Sequence, residues 1–183
     1  MDICYGLANQ PGDLEQILQL QTDNLTANIS AEELEKEGFV TAVHDWELLR
    51  EMNNPHPHIV ARIGSQIIGY TLVMLPEMSD RLPILFSMFE KLRQLSFQKR
   101  LLSDQTWFVM GQVCIAKAYR GQGVFTGLYQ ELKQQMAPRF DCIITEISAR
   151  NPRSLRAHQK VGFQEFHRYH DQEEWVLVGW DWQ

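Results

Sequence analysis

Apolar positions recur at helical spacing over the first third of the chain, and strand-like runs then take over. Asp2 to Ala8 reads as a short first strand. Leu14, Ile17, Leu18 and Leu25 follow Gly12-Asp13 at helical spacing, so a helix starts there with Asp13 near its cap. Ser30 with Glu33 three residues later is a capping-box pattern that opens another short helix. A further helical stretch, Asp45 to Asn53, closes at Asn53-Asn54-Pro55. Ile59 to Ile63 and Gln66 to Met74 are β-rich runs parted by Gly64-Ser65, a hairpin signal.

Between Pro76 and Gln105 the spacing of Leu82, Leu85, Phe86, Phe89, Leu92 and Leu95 predicts a helical insertion with one apolar stripe. It packs on the core, and it is also a candidate lid or wall for a substrate pocket. Trp107 to Lys117 has little polar alternation, as expected of a central strand covered on both faces. Val124 to Met136 is a helix striped by Leu128, Leu132 and Met136 and ended by Pro138, and Phe140 to Ala149 is another strand. Asn151 to Val161 is a helix with Asn151 as N-cap, Pro152 at its first position and Gly162 beyond its end. Phe163 to Tyr169 and Trp175 to Trp180 close the chain as strands. With no repeat and no linker, residues 1–183 read as a single α/β domain.

Composition narrows the function classes. At 44% hydrophobic and 22% charged, the 183 residues match an ordinary soluble globular chain. No apolar run could span a bilayer and no signal peptide opens the sequence, so a cytoplasmic location is expected, with no membrane partner. The net charge of −6 argues against a nucleic-acid partner held through phosphates and permits a cationic small molecule. Cys4, Cys114 and Cys142 form neither a disulfide framework nor a zinc pattern. His56 and His58 flank Pro57 in a loop with no matching ligand cluster, so no metal is expected.

The candidate chemistry begins at Arg120-Gly121-Gln122-Gly123, where a buried strand runs through a turn directly into a helix. Unpaired N–H groups at such a helix start, aided by the macrodipole, can hold an anion. The glycines allow close approach of a phosphate, and Arg120 adds charge. No Lys follows as a P-loop requires, and Gly127 misses the third Rossmann glycine by one position. Downstream, Asn151-Pro-Arg-Ser154-Leu-Arg-Ala-His158-Gln-Lys160-Val-Gly162-Phe163 follows a strand and opens a helix. There Asn151, Ser154 and His158 form one polar stripe.

The first segment resembles the Gln/Arg-x-x-Gly-x-Gly/Ala signature of the GNAT N-acetyltransferase superfamily, with Phe125 where that signature has Gly or Ala. The second resembles its Asn-x-x-Ser/Ala-x-x-x-Tyr/His-x-Lys-x-Gly-Phe signature, in the expected order and on the expected elements. The resemblance, from about Ile59 onward, implies a mixed sheet of about seven strands flanked by helices. It implies acetyl-CoA as co-substrate, attacked directly by an amine in a ternary complex. The coenzyme would be held by Val113, Cys114, Ile115, Arg120, Gly121, Gln122, Gly123, Val124 and Phe125, with Asn151, Ser154 and His158. A backbone N–H among Val113 to Ile115 would polarise the thioester carbonyl.

His158, where many relatives have Tyr, is then the candidate acid at sulfur, or else a neutral hydrogen-bond donor. Glu146, on the strand before the Asn151 helix, is the candidate base, directly or through water, or else an exposed or ion-paired strand residue. A primary amine of a small molecule is the expected acceptor, its pocket built from Asn28 to Asn53 and Pro76 to Gln105. The alternatives are a protein or peptide N-acetyltransferase, a non-catalytic acyl-CoA sensor, and an assembly protein using the sheet edge near Trp175, Trp180 and Trp182. A homodimer is compatible with each.

Overall fold

The computed structural model describes residues 2–25, 40 and 42–183; the helix expected from Ser30 lies outside them. The strands are β1 (Cys4–Leu7), β2 (Ile59–Ile63), β3 (Gln66–Met74), β4 (Ser96–Phe97), β5 (Arg100–Leu101), β6 (Trp107–Ile115), β7 (Cys142–Ser148), β8 (Gln164–Asp171) and β9 (Glu173–Asp181). The helices are α1 (Asp13–Asp23), α2 (Trp46–Met52), α3 (Phe86–Leu92), α4 (Val124–Met136) and α5 (Pro152–Val161). A mixed seven-stranded sheet runs in the order β1-β2-β3-β6-β7-β9-β8, and β4 pairs with β5 as a separate hairpin. The chain divides into two compact units, Met1–Val73 with Gly111–Gln135 and Met74–Met110 with Met136–Gln183. No described helix is long and apolar enough to cross a membrane.

In the first unit the antiparallel ladders β1–β2 and β2–β3 carry the buried Ile59, Val60, Ala61, Ile68, Tyr70, Leu72 and Val73. Gly69 has no side chain to hold α4 away: a Cβ there would lie 3.3 Å from both Val124 and Leu128. Tyr5 lies over Gly127 in the same manner. Gly12 caps α1 in the left-handed conformation, φ 85°, so the cap falls one residue before Asp13. Asp13 is instead buried, accepting from Arg62 Nη1 at 3.0 Å, Arg62 Nη2 at 3.1 Å and the Gln10 N–H at 2.9 Å. At α2 the cap is Asp45, whose side chain accepts from the Leu48 N–H.

The second unit is a sheet with differently covered faces. β6 pairs in parallel with β7 from Trp107–Cys142 to Val109–Ile144, after which the Thr145 hydroxyl donates to the Met110 carbonyl at 3.0 Å. β9 pairs antiparallel with β7 and with β8, so Glu146, Leu177 and His167 share one face. Ile147, Val176 and Arg168 share the other. α5 covers the second face, where Phe163 meets Trp180 at 5.8 Å. A Cβ on Gly162 would lie 2.5 Å from the Trp180 indole nitrogen, so this cap position needs its glycine for space as well as for φ 122°.

The segment expected as a helical insertion covers the first face, and its architecture differs from the expectation. Tight three-residue-per-turn segments over Pro76–Arg81 and Pro83–Leu85 precede α3 and interrupt the α-helical spacing. Phe86 is consequently 54% exposed although its neighbours in the pattern, Leu85, Phe89 and Leu92, are buried. The segment then forms the β4–β5 hairpin, turning at Gln98 and Lys99 with φ of 51° and 64°. Such a two-residue turn normally advertises itself as Asn-Gly, and Gln-Lys does not. The Phe97 ring seats on Gly179, and Phe89 lies against Trp107 at 6.5 Å.

Asp13→Ala leaves the Arg62 guanidinium buried without its carboxylate, which costs about 3–5 kcal/mol. Urea denaturation should show a lower midpoint with an unchanged slope.

Candidate active site

The glycine turn lies in the first unit, between β6 and α4. After Ile115 the chain makes a single tight turn, Lys117–Tyr119, then passes through Gly121 (φ 74°) and Gly123 (φ 83°) into α4. A Cβ at either glycine would meet nothing within 4 Å, so left-handed backbone, not crowding, is what requires them. The first bond of the α4 ladder runs from the Gly127 N–H to the Gly123 carbonyl, and the amides before it point out of the helix start. Phe125, the departure from the signature, turns its ring along the helix onto Tyr129, with centroids 4.8 Å apart.

Arg120 braces this turn. Its Nε donates to the Ile115 carbonyl at 3.1 Å and its Nη2 to Asn24 Oδ1 at 2.5 Å, tying the end of β6 and the end of α1 to the loop. Gln122 Nε2 donates to the Ala118 carbonyl at 2.8 Å. Along β6, Gly111, Val113 and Ile115 are half-buried while Gln112 and Cys114 are buried. Gln112 accepts from the Tyr70 hydroxyl at 2.5 Å and donates to the Ala42 carbonyl at 2.7 Å. Burial pushes the Cys114 thiol up to about 12, which makes it an inert core residue.

The Asn151 helix lies in the second unit. Asn151 Oδ1 accepts from the Ser154 N–H at 3.1 Å, so the residue is an N-cap in fact as well as in pattern. His158 is buried, its ring edge-on to Phe163 at 5.1 Å. Its Nδ1–H donates to the Ser154 carbonyl at 2.8 Å, with the Ser154 hydroxyl 3.3 Å from the same nitrogen. Burial pulls its pKa down to about 4, the backbone bond at Ser154 opposing. At neutral pH the ring is therefore neutral, with its proton on Nδ1.

Glu146 lies on the face of β7 opposite to the one α5 covers. Burial pushes its carboxyl up to about 7; the hydrogen bond from Tyr169 pulls against that and the Asp171 charge adds to it. The Tyr169 hydroxyl donates to Glu146 Oε2, reaching across β9 from β8. Nearby, Ser148 Oγ donates to Glu173 Oε2 at 2.7 Å and Ser87 Oγ, from α3, to Asp171 Oδ2. The insertion therefore touches the face that bears Glu146.

Tyr169 is the residue that pattern reading missed. It ended a predicted strand with no motif around it, and only the β7–β9–β8 register brings it to Glu146. His58 takes a structural place: its Nδ1 accepts the Val73 N–H at 3.1 Å and its Nε2 lies 3.2 Å from the Leu49 carbonyl.

The sequence model of the acetyltransferase (GNAT) family matches residues 14–163, a span that holds both motifs. No curated protein matches the chain by sequence. Among solved structures the chain is similar to one in the NatC complex bound to Gag peptide and CoA, with 15% identity over 99% of each chain and a TM-score of 0.65. It is similar to the ribosomal-protein-S18-alanine N-acetyltransferase from Escherichia coli, at 9% identity over 98% of this chain and 94% of that one, TM-score 0.63. It is also similar to yncA from Salmonella typhimurium, solved with its cofactor acetyl-CoA, at 12% identity over 100% and 95%, TM-score 0.63. Identities this low carry the fold and leave the substrate open. A family match over most of the length, with the glycine turn and the Asn151 cap on the elements that the motifs require, establishes that the chain belongs to the acetyltransferase (GNAT) family.

Proposed function

We propose that residues 1–183 act as one acetyltransferase domain that transfers the acetyl group of acetyl-CoA to a primary amine of a small molecule. The observation that carries this reading is Glu146, a carboxyl raised to about 7 on a strand face. A base of that strength is matched to removing a proton from an amine near neutral pH, which a plain coenzyme sensor does not need. The amine nitrogen forms the new bond to the acetyl carbon, its proton passes to Glu146, and the carbon–sulfur bond breaks to release the thiolate.

In this reading the amides of Gly121 to Val124 hold the coenzyme's pyrophosphate, with Gln122 and Phe125 shaping the turn. A backbone N–H among Val113, Cys114 and Ile115 polarises the thioester carbonyl, a contribution of roughly 3–4 kcal/mol in acyl transfer. Arg120 acts through the loop it braces. Asn151 and Ser154 shape the start of α5. The neutral state of His158 favours a holding role at that helix over the acid role that the resemblance implies. A second reading, acetylation of peptide N-termini, is favoured by the relatives whose names carry a Gag peptide and a ribosomal-protein alanine.

Acetyl-CoA incubated with a panel of polyamines, amino acids, aminoglycosides and short peptides, read by free-thiol release, separates these. Thiol release with a small amine supports the first reading and release with peptides alone supports the second. Coenzyme binding without release with any acceptor leaves only a sensor.

Arg120→Ala should raise the KM for acetyl-CoA roughly 10–100-fold, the worth of a charged hydrogen bond, and Arg120→Lys should not restore it. A steady-state titration of the coenzyme checks both.

Glu146→Gln should abolish the acid limb of the kcat/KM profile, which in the parent rises through about pH 7. The same substitution has a stability signature. A carboxyl whose folded pKa is raised binds its proton more tightly in the folded state. Glu146 therefore lowers stability progressively as pH rises from its unfolded value, about 4.3, toward 7. Melting curves from pH 4 to 8 should show that decline in the parent and a shallower one in the variant.

His158→Ala should lower stability by roughly 2 kcal/mol or more while leaving turnover at saturating substrate largely in place. Loss of turnover with unchanged stability would restore the acid role.

A further inference from the structure

We propose that Tyr169 is a positioning residue for the base: its phenol holds one carboxylate oxygen of Glu146 across the face of β9, leaving the other to take the amine proton. The inference rests on the reading of Glu146 as base and adds a residue to it. Tyr169 and Glu146 lie on strands that are not neighbours, with β9 between them. The register sets Glu146 opposite Leu177 and Tyr169 opposite Trp175, so both side chains emerge on one face, two residues apart along β9. The phenol ring spans that strand and ends on Oε2.

The ring is itself held. His167 stacks on it with centroids 6.5 Å apart and planes 18° from parallel. The irregularity of β8 between Glu165 and His167 shifts the alternation by one residue after Gln164, so that His167, Tyr169 and Asp171 lie opposite Leu177, Trp175 and Glu173 of β9. Asp171 and Glu173, also on this face, accept from hydroxyls of their own, Asp171 from Ser87 and Glu173 from Ser148, and Asp181 accepts from the Gln183 N–H. Among the described residues, the titratable groups on this face of β8 and β9 are His167, Tyr169 and Asp171, and Glu173 and Asp181. Of these, Tyr169 is the one that donates to the Glu146 carboxylate.

A donor to the charged form of a carboxyl favours that form. The phenol therefore steadies the ionised base, and its own proton stays in place because burial and the neighbouring carboxylate raise its pKa. A fixed Oε2 also fixes the direction of the second oxygen, which decides the approach of the amine.

Tyr169→Phe removes the hydroxyl and keeps the ring. The acid limb of the kcat/KM profile should move to higher pH by about one unit, a roughly tenfold loss below the limb, with the alkaline plateau largely kept. Titration of the Glu146 carboxyl by infrared difference, using Glu146→Gln to assign the band, should move the same way with no substrate present. Site-specific 3-fluorotyrosine at position 169, a stronger donor, should move both readouts to lower pH, and it serves if the Phe variant does not fold. A rate that falls uniformly with limb and band unmoved would mean that the hydroxyl is merely structural and would overturn the proposal. An acid limb that survives Glu146→Gln sinks the base and this inference together. A limb abolished by Glu146→Gln but unmoved by Tyr169→Phe sinks this inference alone.

Discussion

Desolvation of a carboxyl on a sheet face is the constraint around which the second unit is arranged. Glu146 is met there by a phenol and by another acid, and no described cation is among the causes of its shift. A charge so placed is costly, and proteins meet that cost by pairing or by raising the pKa. The β7–β9–β8 register keeps the carboxyl and its donor on one face, while α5 packs on the opposite face against Trp180. The insertion supplies the cover, with Phe97 on Gly179 and Ser87 on Asp171. A single side chain on Gly179 would lift that cover, since its Cβ would lie 2.8 Å from the Phe97 ring.

The first unit solves a different problem, the exposure of backbone amides at a helix start. Left-handed glycines at 121 and 123 turn the chain tightly enough for those amides to face one way. Arg120, which pattern reading cast as a phosphate ligand, spends two of its donor groups on Ile115 and Asn24. Its charge still lies beside the turn, but its geometry is that of a brace. The same economy holds deeper in the unit. Asp13 and Arg62 are satisfied by each other, and Gln112 by Tyr70 and Ala42, so these buried polar groups are tied in place.

What could be read from the chain alone follows from how local each feature is. β2, β3, α4 and α5 were legible to the residue, because hairpin glycines, a capping Asn151, Pro152 and Gly162 act within a few positions of themselves. The family motifs were legible for the same reason. The β4–β5 hairpin was not, since Gln98 and Lys99 adopt positive φ without any residue that favours it, held by packing of Phe97 on Gly179 and Phe166. Glu146 could be named from its place before the Asn151 helix. Its raised pKa could not, because that depends on burial. Tyr169 was invisible altogether: its partner lies two strands away, and a one-residue change of register would have sent it to the other face.

The choice of a phenol as the partner of Glu146 has a chemical logic. A Lys or Arg in that position would neutralise the carboxylate and hold its pKa below the ordinary carboxyl range, steady but too weak a base to take a proton from an amine. An apolar neighbour would leave the carboxyl unsatisfied and push it higher, so that little of it would be ionised near neutrality. A neutral donor falls between these limits. It satisfies one lone pair without cancelling the charge, and so leaves burial as the larger influence, which is the balance behind a value of about 7. The covered sheet face and the phenol thus act on the same proton from opposite sides, and the carboxyl's pKa is set by the difference between them.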